Sequence, residues 1–152
     1  YLLADEVGMG KTIEAGLIIG QFLLDNSFGN VLVIVPNSLL FQWKMELEQK
    51  FSIFSRYMDR VLVEPFEEIN NISKENFELL LIDEAQNYVL ESIPPELETI
   101  TRNIPRLLLL SATPSLGNSK VLLNLLMDYH NVLVHDYLLL CQKNYSEDLL
   151  KI

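Results

Sequence analysis

Cysteine occurs once in the 152 residues, at Cys141, and histidine twice, at His130 and His135, so neither a disulfide framework nor a zinc centre has its raw material. No apolar run approaches the ~20 residues that a membrane-spanning helix needs, and no membrane role is expected. Basic residues are scarce. Eleven Lys and Arg against 21 Asp and Glu give a net charge of −10, the wrong sign for a domain that holds nucleic acid by charge alone. An initiator Met is also missing, because residue 1 is Tyr and the first four residues already read as strand. The sequence is therefore expected to be a piece of a longer protein.

What is present is a core. Hydrophobic residues make up 49% of the chain and charged residues 21%, which excludes a disordered tail and fits one globular domain in a reducing, intracellular setting. The charge is unevenly spread: residues 44–60 carry four basic and three acidic side chains, whereas residues 64–100 hold ten carboxylates and one Lys. Any nucleic-acid contact should then be local and weak, since affinity for the phosphate backbone comes from Lys and Arg displacing counterions. The acidic stretch reads as solvated surface.

Periodicity alternates between strand and helix. Tyr1 to Ala4 reads as a strand, followed by a glycine-bearing loop and an apolar helix to about Leu24. Val31 to Val35 is too apolar for a half-exposed strand and predicts an interior parallel one, stopped by Pro36. Leu40, Trp43, Leu47 and Phe51 then recur at helical spacing. Weaker signals predict a strand over 61–63 and a short helix over 67–73. Leu79 to Ile82 and Leu107 to Leu110 are two further strands, with a helix opened by Pro94-Pro95 between them. From Ser119 the pattern is helical. Alternating strands and helices predict an α/β fold, a mainly parallel sheet with helices on both faces and ligands at the carboxyl ends of the strands.

Two local patterns carry chemistry. Gly8-x-Gly10-Lys11-Thr12 lies between a strand and a helix, the context of a phosphate-binding loop. Its glycines let backbone amides face phosphate oxygens, Lys11 reaches the β and γ phosphates, and the Thr12 hydroxyl is placed to ligate Mg²⁺. The strict pattern would have its first glycine at position 5, where this chain has Asp5; taken alone, a glycine-rich turn capping a helix is the competing reading. Asp83-Glu84 ends a strand, where an Asp that holds Mg²⁺ and a Glu that polarises the attacking water would stand. Two acidic residues can also simply open a solvated loop. One parallel sheet would bring both loops to the same edge.

The segments DEVGMGKTIEAG (5–16), VLVIVPNSLLFQW (31–43), LLLIDEAQ (79–86) and LLLLSATP (107–114), in this order, resemble motifs I, Ia, II and III of the superfamily-two helicase-like ATPases of the Swi/Snf family. Their wording is most similar to the bacterial RNA-polymerase-associated subgroup. The resemblance runs from Tyr1 to about Asp136 and implies a RecA-like P-loop lobe over 1–136, with 137–152 a helix or connector. It implies ATP and Mg²⁺ bound by Asp5, Glu6, Gly8, Gly10, Lys11 and Thr12, the metal on Thr12 and Asp83, and hydrolysis through Lys11, Asp83 and Glu84. Gln86 stands where the family's DEAH-type box has His, with an implied γ-phosphate or interlobe role. Ser111, Ala112 and Thr113 would couple nucleotide state to movement, and Pro36, Asn37 and Ser38 would lie along one DNA strand without reading its sequence.

Departures from the pattern limit what the chain could do by itself. Residues 61–66 read VLVEPF and match motif Ib poorly, and within these 152 residues there is neither an adenine-recognising motif nor a second RecA-like lobe. That lobe would supply an arginine finger worth ~10³ to 10⁵ in rate, so slow turnover is expected of this lobe by itself. The implied whole is a DNA-dependent ATPase and translocase, bacterial and cytoplasmic if the resemblance to the RNA-polymerase-associated subgroup holds and otherwise nuclear, acting on duplex DNA and on RNA polymerase or another DNA-bound protein. A strand-separating helicase, a restriction or phage-defence motor, and an ATP-binding interaction module with an acidic face are the alternatives. Trp43 reads as core rather than as a base-stacking platform. His130, His135 and Cys141 read as surface, helix-end and buried-hydrophobe positions.

Overall fold

A computed structural model of the chain describes residues 2–4, 10–72, 76–88 and 94–111. Five strands form one sheet, β1 (Leu2–Ala4), β2 (Asn30–Val35), β3 (Val61–Pro65), β4 (Phe77–Ile82) and β5 (Arg106–Ser111), in the spatial order β1-β5-β4-β2-β3. Every pairing is parallel, with Val33 opposite both Val63 and Leu81, Leu80 opposite Leu107, and Leu2 opposite Leu109. Four helices accompany them: α1 (Lys11–Asp25), α2 (Leu40–Phe51), α3 (Ile53–Tyr57) and α4 (Pro95–Asn103).

The unbroken apolar runs of β2, β4 and β5 follow from burial on both faces. Val31, Val33 and Val35 point to one side and pack under α1, α2 and α3 with Ile19, Leu23, Trp43, Leu47 and Ile53. Leu32 and Ile34 point to the other, where Leu97 and Ile100 of α4 join Leu80, Ile82 and Leu109. Burying such a side chain is worth about 1.5–3 kcal/mol, so the two layers dominate the stability. Helices on both faces of a parallel sheet agree with the expectation from alternation.

Helix ends follow local chemistry. Pro95 opens α4, where its missing N–H costs nothing, and Glu96 and Glu98 sit in the first turn against the helix's positive end. Ser52, at φ 51°, ends α2; the chain then restarts as α3 because the Glu48 carboxylate accepts the N–H groups of Phe54 and Ser55. The helix predicted over 67–73 is corrected to a single 3₁₀ turn, Phe66–Glu68, followed by turns up to Ile72. The cause is local competition: Asn71 bonds Glu68 through its backbone and also through its side-chain amide, which favours a turn over helix propagation.

The sheet order positions the candidate site. β5 lies between β1 and β4, and β2 flanks β4 on the other side. The carboxyl ends of β2, β4 and β5 thus present Pro36–Ser38, Asp83–Glu84 and Ser111 along one rim, as a parallel sheet with short connections requires.

Candidate nucleotide and metal site

Gly10 takes φ 95° and ψ 18°, a left-handed conformation open to glycine, and its carbonyl accepts the first bonds of α1 from Ile13 and Glu14 at 2.8 and 3.1 Å. Lys11 follows at the first helical position and is 9% exposed, with Thr12 beside it. Across from this helix start stand Asp83 and Glu84. A cleft of about 400 Å³ joins them, lined by Gly10–Ile13, by Asp83 and Glu84, and by Leu39 with the α2 residues Gln42, Trp43, Glu46 and Lys50.

Asp83 is 5% exposed and held at three points. Its N–H donates to the Ile34 carbonyl at 2.8 Å, its Oδ1 accepts the Glu84 N–H at 2.9 Å, and its Oδ2 accepts the Trp43 indole N–H at 2.8 Å. Burial pushes its pKa above the usual 3.8, against the two hydrogen bonds and the Lys11 charge, which favour the carboxylate. Glu84 adopts φ 48°, ψ 44°, which costs a non-glycine residue of order 1–3 kcal/mol and is the kind of strain that functional sites hold. Its Oε1 lies 3.9 Å from Lys11 Nζ, and its Oε2 accepts a hydrogen bond from Gln86 Nε2.

On the α2 wall, Gln42, Glu46 and Lys50 form an i, i+4 row. Gln42 and Lys50 donate to the two Glu46 oxygens at 2.8 and 3.0 Å. The Gln42 hydrogen bond, helped by Lys50 and opposed by partial burial, holds the Glu46 pKa below the ordinary 4.5.

Of the residues singled out from sequence, Gly10, Lys11, Thr12, Asp83 and Glu84 share this cleft. Gln86 touches Glu84 from the 3₁₀ turn Ala85–Asn87. Its Oε1 and the Ser111 Oγ are buried without a hydrogen-bond partner among the described residues. Pro36, Asn37 and Ser38 sit outside the cleft on the same rim, the last two exposed, with the adjoining Leu39 lining it. Asp5, Glu6, Gly8, Ala112, Thr113, His130, His135 and Cys141 lie outside the described residues. The acidic stretch is solvated only in part, for Asp83 is buried. Sequence reasoning placed Trp43 in the core, where it is, and missed its contact with Asp83; the available signal was that a buried indole N–H requires an acceptor.

Residues 1–59 match the SNF2-related domain family. RNA polymerase-associated protein RapA of Proteus mirabilis is 41% identical over 143 aligned positions, covering 74% of this chain and 15% of the relative. RapA of Actinobacillus succinogenes is 36% identical over 147 positions with the same coverages. Over its first 59 residues the chain is thus similar to the SNF2-related domain family. It spans about 15% of the length of the curated relatives it matches. The Sulfolobus solfataricus SWI2/SNF2 ATPase core in complex with dsDNA superposes with a TM-score of 0.65 at 22% identity, over 83% of this chain and 30% of that one. That likeness establishes the fold, the RecA-like α/β lobe expected from the motifs.

Proposed function

We propose that this chain is the ATP-binding lobe of a DNA-stimulated ATPase and translocase that remodels protein–DNA or RNA polymerase complexes in the bacterial cytoplasm, with residues 1–136 forming the first RecA-like lobe and 137–152 a helix or connector. The observation that carries the reading is that Gly10, Lys11, Thr12, Asp83 and Glu84 line one cleft. In it Gly10 and the start of α1 would face the phosphates, Asp5, Glu6 and Gly8 would contribute to binding the triphosphate, and Lys11 would neutralise the β and γ oxygens. Glu84 would polarise the attacking water.

Among the described residues no group of three or more His, Cys, Asp or Glu could hold a metal ion. The donors that do line the cleft, a threonine hydroxyl and a buried carboxylate, fit Mg²⁺ arriving with its nucleotide, which needs one or two protein oxygens beside phosphate and water. Thr12 and Asp83 would provide them, and the buried Asp83 carboxylate, disfavoured by desolvation, is a group that a cation stabilises. Mg²⁺ would supply charge neutralisation across the β and γ phosphates.

Gln86 and Ser111, with Ala112 and Thr113, would relay nucleotide state, and Pro36, Asn37 and Ser38 would position one strand of duplex DNA, weakly, given a net charge of −10. Two comparisons support partners of this kind: the relatives are RNA polymerase-associated proteins, and the structural neighbour was solved with dsDNA. A second RecA-like lobe would close the cleft. The test is the ATPase rate of the full-length protein that contains this lobe, with and without duplex DNA, beside Glu84→Gln. Strong stimulation by duplex DNA that Glu84→Gln abolishes supports the motor. A flat, low rate on DNA and RNA with Mg·ATP still bound supports an ATP-dependent interaction module instead.

A further inference from the structure

A tryptophan that served only to fill space on α2 would bring an unwelcome group with it. The indole N–H is a donor, and a buried donor left unsatisfied costs a few kcal/mol, so an all-carbon side chain such as phenylalanine would fill most of that space without the penalty. Trp43 is 2% exposed, wedged in the layer formed by α1, α2 and the sheet, so the direction of its N–H is set by packing. That N–H is aimed at no backbone carbonyl; it donates to Oδ2 of Asp83 at 2.8 Å.

We propose that Trp43 is a positioning residue for the Asp83 carboxylate, fixing the orientation in which that carboxylate meets Mg²⁺ in the cleft. The inference rests on the reading of Asp83 as a metal ligand. A carboxylate has about four lone-pair positions. Here one on Oδ2 is taken by the indole and one on Oδ1 by the Glu84 N–H at 2.9 Å, while the Asp83 N–H is itself tied to Ile34 at 2.8 Å. These bonds restrain the carboxylate from rotating and leave each oxygen a lone pair free, on a residue that lines the cleft. Octahedral Mg²⁺ tolerates little error in ligand direction, so a carboxylate free to turn binds it less well. The bond to an ionised acceptor is also stronger than one to a neutral carbonyl, which offsets part of the desolvation that Asp83 suffers.

The test compares three substitutions in the full chain: Trp43→Phe, Trp43 replaced by 3-benzothienylalanine, and Asp83→Asn. Benzothienylalanine keeps the ring system and exchanges only the N–H for sulfur, so it carries the test if Trp43→Phe does not fold. Binding of a fluorescent ATP analogue is followed by anisotropy against free Mg²⁺, and separately in excess EDTA. Loss of the N–H should raise the Mg²⁺ midpoint about 10-fold, the usual effect of deleting a group that orients a metal ligand, with affinity in EDTA unchanged. A structural role alone would lower affinity in both conditions or in neither. If Asp83→Asn shifts the midpoint and the benzothienyl variant leaves it within twofold of the parent, Trp43 is packing and the inference is overturned. If Asp83→Asn leaves the midpoint unmoved, the reading of Asp83 as a ligand fails first and takes the inference with it.

Discussion

Three glycines of the first helical segment answer alanine in three different ways, and the structure assigns a sign to each. At Gly10 an added Cβ meets nothing within 4 Å, so the only cost is the left-handed backbone at φ 95°, about 1–2 kcal/mol for an L-residue. At Gly20, inside α1, the Cβ again meets nothing within 4 Å, but the backbone is helical, and replacing glycine by alanine gains about 0.5–1 kcal/mol. At Gly16, also helical, the new Cβ would stand 2.2 Å from Cε2 of Phe51, the residue that ends α2. Overpacking of that kind costs about 1–3 kcal/mol and exceeds the helical gain of about 1 kcal/mol. Urea titration followed through Trp43, the one tryptophan of the chain, should therefore rank Gly20→Ala above the parent and place both Gly10→Ala and Gly16→Ala below it. Adding Phe51→Leu should recover stability in the Gly16→Ala background and not in the Gly10→Ala background, because only the first loss is steric. If Gly10→Ala matched the parent, or Phe51→Leu rescued both variants alike, the separation of strain from clash would be refuted.

The remaining predictions concern charge. Lys11→Ala should abolish binding of Mg·ATP with little change in the urea midpoint, which isothermal titration beside the unfolding curve would check. Arg60 donates to the carbonyls of Gly29, at 3.1 and 2.7 Å, and of Asn26, tying the turn after α1 to the start of β3; Arg60→Gln should cost about 2 kcal/mol, the range for hydrogen bonds to a charged group. Glu48 has its pKa lowered, chiefly by the Ser55 hydroxyl, so its contribution is present above the unfolded value of 4.5 and lost as pH falls through the folded value. Asp83 has the opposite sign: its raised pKa means that the folded state takes up the proton first, and stability gains as pH falls through the raised value towards 3.8. Acid titration of stability should thus steepen in Asp83→Asn and flatten in Glu48→Gln, measured as urea midpoints across the acidic range.

The parts of this fold legible in sequence are those specified by neighbours in the chain. β2, β4 and β5 announce themselves because burial on both faces leaves no polar alternation to obscure them. The loop before α1 is legible because Gly10, Lys11 and Thr12 are adjacent and each residue type has a phosphate-related reason to be there. What escaped depends on partners brought together by topology. α3 exists because Glu48 accepts two amides six and seven residues ahead, beyond a residue at φ 51°, which no helical period registers. The site's second layer escaped for the same reason. β2 pairs with β4, and α2 follows β2, so the indole one turn into α2 arrives beside the carboxylate that ends β4, 40 residues away in the chain. Helical spacing correctly put Trp43 inside; only the sheet order says which buried acceptor waits there, and the same ring with β4 paired elsewhere would need a different partner or would not be tryptophan.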